Sequence, residues 1–433
     1  MTSDPRDIDK KYNIFSETVP SFNIKRTAFS VSDDILVKGL QATAGSRILD
    51  GYYPVFDATV VSRMNAAGCS VIGKTNMSEF GMSAFSAAGV DTPKNPFDPE
   101  RSCGGSCGGA ACASAVLDGH IALGTSAGGS ISVPAALCGV FGLTPTHGRV
   151  SRYGQIDSVS SMGPIGLFAM GSELLKKFLP VISGKDEKDL VTATQPELKI
   201  GKRKLRSVAV PKNVTDGVSD AVRKAFNDSL DVLKGMSIDI EYVDMSNLRY
   251  AMPAHYILSV TEAATNLAKY CGMRCGRQDG DLSLPFNDYF VSFRTKYLGR
   301  EAKLRTAMGT YMTLGDNRRT FYLRALGVRQ LVLNGYKDVL RTHDAVLTPT
   351  MPFIALKFTE IEKMNSMDSY MASRFTVPSV FCGLPSLSAP CGYSDGMPMG
   401  IQFVSDHWNE DVLLSAAELC ERSFKIKVPE VSP

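Results

Sequence analysis

Two segments, CGGSCGGAAC at 103–112 and GTSAGGSISVP at 124–134, each hold a serine inside a double-glycine frame. They constrain what the chain can fold into more than any other feature. Residues 101–150 carry 11 of the 38 glycines, where an even spread would give about 4. Glycine on both sides of a serine permits positive φ and lets successive backbone N–H groups converge on one point, an arrangement that serves either a bound phosphate or a developing oxyanion. A flexible surface loop would also be glycine-rich. These frames, however, are flanked by 110–116 and 135–143, runs apolar enough to be buried, and glycine loops held between buried elements indicate a shaped site.

Three common uses of glycine loops fail on spacing. A Walker-type phosphate loop needs a lysine after its last glycine, and none follows here. The dinucleotide fingerprint and its acid about 20 residues on are missing. Neither Ser106 nor Ser130 lies in the G-x-S-x-G of an α/β-hydrolase elbow.

Composition narrows the remaining classes. At 433 residues the chain can bury a large core, and 44% hydrophobic with 21% charged residues excludes disordered, collagen-like and coiled-coil readings. A net charge of +3 offers no bulk field for steering a polyanion. No apolar run approaches the ~20 residues of a membrane helix, so the chain reads as soluble. The N-terminal MTSDPRDIDKKYNIF has no secretory apolar region, and its Asp4, Asp7 and Asp9 disagree with an organelle presequence. Ten cysteines, mostly among small or apolar neighbours, fit a reducing compartment. Cys103/Cys107 and Cys271/Cys275 lack the second pair or nearby histidine of a zinc site, so no metal is expected.

Strand-like and helix-like segments alternate, which favours an α/β layered fold. Residues 70–72 read as a short buried strand. Over 218–234, Val222, Phe226, Leu230 and Leu233 share one helical face, and Gly235 is a natural stop. Ile238, Ile240 and Tyr242 alternate with acids as a half-buried strand, and 345–347 reads as another strand, ended by Thr348 and Pro349. The charged stretch 184–207, with KIGKRKLRS, reads as a solvated connecting loop rather than a tRNA contact, because a phosphate site needs several converging cations. The whole of 1–433 is therefore taken as a single domain, with 1–20 a short N-terminal extension.

The run from Gly104 through Ser130 to GLTPTHGRVSRYG, with framed serines 24 residues apart, resembles the amidase signature family. The similarity extends through FDATVVSRMNAAGCSVIGKTNMSEF, NPFD, EAATNLAKYCGMRCG, EAKLRTAMGTY, VLTPTMP and PMGIQF, and covers roughly 22–425. Within the family the chain is most similar to the branch whose members serve as A subunits of glutamyl-tRNA(Gln) amidotransferases. Its short amino end is similar to the fungal mitochondrial versions.

The resemblance implies a central mixed β-sheet with helices on both faces. It also implies glutamine hydrolysis through a serine acyl-enzyme, with Ser130 as nucleophile and Ser106, on a cis peptide, relaying a proton. Backbone N–H groups of Ala127, Gly128 and Gly129, with that of Ser130, would form the oxyanion hole, where one lost donor typically costs about 2.7 to 4 kcal/mol. Arg305 would bind the glutamine carboxylate, a bidentate task suited to guanidinium. The implied partners are a B subunit carrying ATP, Mg2+ and the main contacts to Glu-tRNA(Gln), and a small third subunit of fungal F-type or C-type. No cofactor is implied in this chain, and the implied location is the mitochondrion.

At several positions the chain departs from the family pattern. The family's lysine base in Lys-Asp-Asn is matched by Ser32 in FSVSDDILVKGL, which suggests an alternative: a fold retained for assembly without the chemistry. Lys25, Lys38 and Lys74 are the candidate replacement bases, although Lys38 and Lys74 also match ordinary surface or structural lysines. Cys107 replaces a serine of the first frame. A family Asp and Arg become Ser126 and Ser132, a double replacement that can be near neutral where losing one partner costs about 3 to 5 kcal/mol. The acid that helps to hold the substrate's amino group becomes Ser373. None of the five histidines is expected beside Ser130.

Overall fold

A computed structural model describes residues 4–20, 26–85 and 92–430. Among these residues, eleven strands form one mixed sheet: β1 (Phe15–Thr18), β2 (Ala28–Ser32), β3 (Ser70–Thr75), β4 (Ile121–Thr125), β5 (Phe141–Thr144), β6 (Ile165–Ala169), β7 (Ser207–Pro211), β8 (Asp239–Val243), β9 (Ala345–Pro349), β10 (Ser386–Ser394) and β11 (Met397–Val404). Their spatial order is β1-β3-β2-β4-β6-β5-β10-β11-β9-β7-β8. The strands before and after the charged 184–207 loop share this sheet. The loop is pinned where the backbone N–H groups of Gly201, Lys202 and Arg203 all donate to the Asp411 carboxylate at 2.6–2.8 Å.

Successive side chains of a strand point to opposite faces, and here both sets are covered. Phe29, Val31, Ile121, Leu123 and Leu167 enter one buried cluster, whereas Ala28, Ala122 and Phe168 enter another beneath the Gly108–Val116 helix. The Asp220–Gly235 helix forms as its periodicity predicts: the Ser219 hydroxyl caps its start by accepting from Val222 N–H, and Val222, Phe226, Leu230 and Leu233 are buried. Two expectations need correction. The strand expected over 70–72 continues to Thr75, paired with β2 on one side and β1 on the other. Strand β8 forms the sheet edge, so Tyr242 is 52% exposed rather than half-buried.

The arrangement that builds a site lies where β2, β3 and β4 run parallel, with Val31 opposite Lys74 on one side and Leu123 on the other. Their carboxyl ends, where open α/β sheets place ligands, bring Ser32, Asp33, Asp34, Lys74 and Thr125 to one edge. The second serine frame follows β4 directly.

Candidate active site

Both framed serines face this edge. Ser106 is 1% and Ser130 8% exposed, and the two frames are tied by the Cys107 N–H donating to the Ser130 carbonyl at 3.4 Å. The Gly105–Ser106 peptide is cis, and the Ser106 carbonyl accepts from Ser78 N–H at 3.1 Å. The frames need glycine for closeness as well as for dihedral freedom. A Cβ on Gly105 would lie 2.6 Å from the Ser83 carbonyl oxygen, and Gly129, at φ +115°, has its missing Cβ position filled by the Thr376 hydroxyl.

Around Ser130 the backbone N–H groups of Ala127, Gly128 and Ser130 have no acceptor among the described residues. The Gly129 N–H differs from the expected oxyanion donor: it is taken by the Ser126 hydroxyl at 3.2 Å. Ser126 thus braces the loop where the family has an acid, while the Ser132 hydroxyl is buried with no hydrogen-bond partner among the described residues.

Ser130 opens into a cavity of about 690 Å³ whose walls come from segments distant in sequence, at 80–84, 158–159, 252–263, 301–308 and 361–377. Arg305 stands on the Arg300–Thr313 helix, with its Nε donating to Glu301 Oε1 and an Nη to the Met82 carbonyl, both at 2.7 Å. Glu301 and Arg305 bring a carboxylate and a guanidinium to the cavity lining, and Ser373 lines it as a neutral, buried group. His255 also lies in the wall, contrary to the expectation that no histidine sits beside Ser130. Its Nε2 is 2.7 Å from the Ala127 carbonyl and its Nδ1 2.6 Å from the Tyr370 hydroxyl. Burial pushes its pKa down to about 4, so the ring is neutral near pH 7 and its Nε2–H supports the oxyanion loop from behind.

Ser32 sits at the floor of the site, its hydroxyl 3.2 Å from Met77 Sδ and 3.7 Å from Cys107 Sγ. Cys107 is a protonated thiol, its pKa pushed up to about 11 by burial, and donates to the Thr125 carbonyl at 3.3 Å. Of the candidate replacement bases, Lys25 lies outside the described residues and Lys38 is exposed. Lys74 is not a surface lysine: among the described residues it is the only lysine that is fully buried. Its ammonium donates to the Asp33 carbonyl at 3.0 Å and lies 3.5 Å from the Asp33 carboxylate. Burial lowers its pKa and the two neighbouring aspartates oppose that shift.

The family model described as Amidase matches residues 23–414, and the chain belongs to that family, the amidase signature proteins. More particularly, it is 37% identical over 403 residues to the A subunit of the glutamyl-tRNA(Gln) amidotransferase of Clostridium kluyveri (strain NBRC 12016), covering 92% of this chain and 81% of the relative. The corresponding A subunit of Geobacillus thermodenitrificans (strain NG80-2) is 36% identical over 426 residues, 96% of this chain and 87% of the relative. The crystal structure of the glutamyl-tRNA(Gln) amidotransferase A subunit from Thermotoga maritima aligns with a TM-score of 0.83 at 29% identity, covering 98% of this chain and 92% of that one. A peptide amidase from Stenotrophomonas maltophilia, at 24% identity and a TM-score of 0.78 over 93% of this chain and 84% of that one, shares the fold.

Proposed function

We propose that this chain is the glutamine-hydrolysing component of a glutamyl-tRNA(Gln) amidotransferase. The observation that carries the reading is the meeting of Ser106 and Ser130, from two glycine frames, at one buried edge below backbone donors that have no acceptor among the described residues. In this reading the Ser130 oxygen attacks the side-chain amide carbon and the carbonyl oxygen becomes an oxyanion held by the N–H groups of Ala127, Gly128 and Ser130. Collapse expels ammonia, and water releases glutamate from the ester.

The cavity wall suits a zwitterion. Arg305 still has guanidinium N–H groups to offer a carboxylate, and Glu301, its partner on the cavity wall, can face the ammonium where Ser373 supplies no charge. Ammonia would pass to a B subunit that holds ATP, Mg2+ and Glu-tRNA(Gln), with a small third subunit completing the complex. A mitochondrial setting, with a third subunit of fungal F-type or C-type, completes the proposal and rests on the family resemblance alone. A purely structural role is not favoured, because both framed serines and the donor loop are in place.

The test is ammonia release from glutamine by the assembled complex. Ser130→Ala is expected to abolish it, and equal release by wild type and Ser130→Ala would refute the reading.

A further inference from the structure

A serine hydroxyl is a weak nucleophile until a neighbouring group takes its proton, and Ser32 cannot do so as a base. Two buried charged groups at this sheet edge, Lys74 and Asp34, differ in how far they are already committed. Lys74 points its ammonium at Asp33, whose carboxylate also receives the Ser16 hydroxyl at 3.1 Å and the backbone N–H groups of Thr43 and Gly45 at 3.0 and 3.3 Å. Asp34 is equally buried but sparsely served: Thr125 Oγ1 donates to its Oδ2 at 2.6 Å, and its Oδ1 has no hydrogen-bond partner among the described residues. That carboxylate lines a second cavity, of about 20 Å³, together with Ser106, Thr125 and Ser130. A volume above roughly 10–15 Å³ holds one water.

We propose that Asp34 is the proton acceptor of the serine relay, acting on Ser106 through one water in the small cavity they share; the assignment rests on the glutaminase reading above. As the Ser130 oxygen bonds to the amide carbon and the C=O pair moves to oxygen, the Ser130 proton passes to Ser106. The Ser106 proton passes through the water to Asp34. When the oxyanion collapses and the C–N bond breaks, the same path returns a proton to nitrogen and ammonia leaves. In deacylation Asp34 accepts the proton of the attacking water by the same path, and Ser130 recovers its own as the ester breaks, leaving glutamate and an ionised Asp34.

The groups that face Asp34 set its proton affinity. Burial raises its pKa above the usual carboxylate range, towards that of a working base, against the hydroxyls of Thr125 and Ser32 and the Lys74 cation. Asp33 from the same turn and Cys107 from the first frame also face it, and Asp157 lines the same cavity.

The experiment compares Asp34→Asn and Asp34→Gly in the assembled complex, with glutamine as substrate and formate as an external carboxylate. Loss of a general base typically costs about 10²- to 10⁴-fold. Asp34→Asn is therefore expected to lower kcat at least ~100-fold with KM changed less than about threefold. Formate is expected to restore Asp34→Gly at least ~10-fold while leaving Ser130→Ala inactive. Asp34→Asn retaining more than about a third of wild-type kcat would overturn the proposal, as would a well-folded Asp34→Gly protein that formate does not revive. Ammonia release that survives Ser130→Ala, or is absent from wild type, would instead overturn the glutaminase reading on which the proposal stands.

Discussion

The floor and the wall of the large cavity are built on different principles. The floor, formed by the two serine frames, is mostly backbone, held close by glycines such as Gly105 and Gly129, where a Cβ would clash. The wall is mostly side chains, with His255, Arg305 and Ser373 brought together from segments more than 40 residues apart in sequence. A backbone-built site positions donors without side-chain entropy cost and tolerates little change. A side-chain wall can change one residue at a time. In the proposed reading the floor carries the chemistry and the wall the choice of substrate.

Breaking the floor should cost most. Gly129→Ala must strain a positive φ and displace Thr376. Glutaminase activity is expected to fall at least ~100-fold, with a lowered Tm, since even one oxyanion donor is worth about 10²–10³ in kcat. Near-normal kcat in this variant would show that the frame geometry is not needed. Breaking the wall should act on binding instead. Arg305→Leu is expected to raise KM for glutamine by about 10- to 100-fold, the loss of a charge-assisted pair of hydrogen bonds, with a smaller change in kcat. A fall in kcat at constant KM would move Arg305 from recognition to chemistry. Glu301→Gln is a milder break. It is expected to raise KM for glutamine several-fold more than KM for the analogue lacking the α-amino group, and equal effects on the two would assign Glu301 only to positioning Arg305.

The smallest effect concerns pH. His120 and His255 are buried and His147 is partly buried, with pKa values pushed down by desolvation to about 3, 4 and 4 respectively from 6.5. A folded-state pKa below the unfolded one means that the unfolded chain binds more protons. These groups' contribution to stability is therefore fully present above about pH 6.5 and is lost as pH falls towards 4. Tm should decline across that window, and His255→Gln should blunt the decline. An unchanged acid slope in that variant would remove His255 from the account.

The floor was legible in the sequence because glycine spacing encodes it directly: Ser106 and Ser130 are found where the frames place them. The donors were legible less precisely, because only the folded loop reveals that Ser126 claims the Gly129 N–H. The wall was scarcely legible. His255 lies 125 residues from Ser130 and meets Ala127 only through tertiary packing, with no local pattern to signal it. For Lys74 the sequence left surface and structural readings open, and the strand boundary decides between them: a strand expected to stop at Ile72 runs to Thr75 and carries the lysine into the interior. Tyr242 was misjudged because alternation gives a strand's faces but not its place at the sheet edge.

The central claim is that glutamine passes through an ester on Ser130. Rapid quenching of the assembled complex during turnover, followed by peptide mapping, measures it directly. The account predicts a mass gain of one glutamyl group on the peptide containing Ser130, absent in Ser130→Ala. A glutamyl group found on another residue while ammonia is released would contradict it.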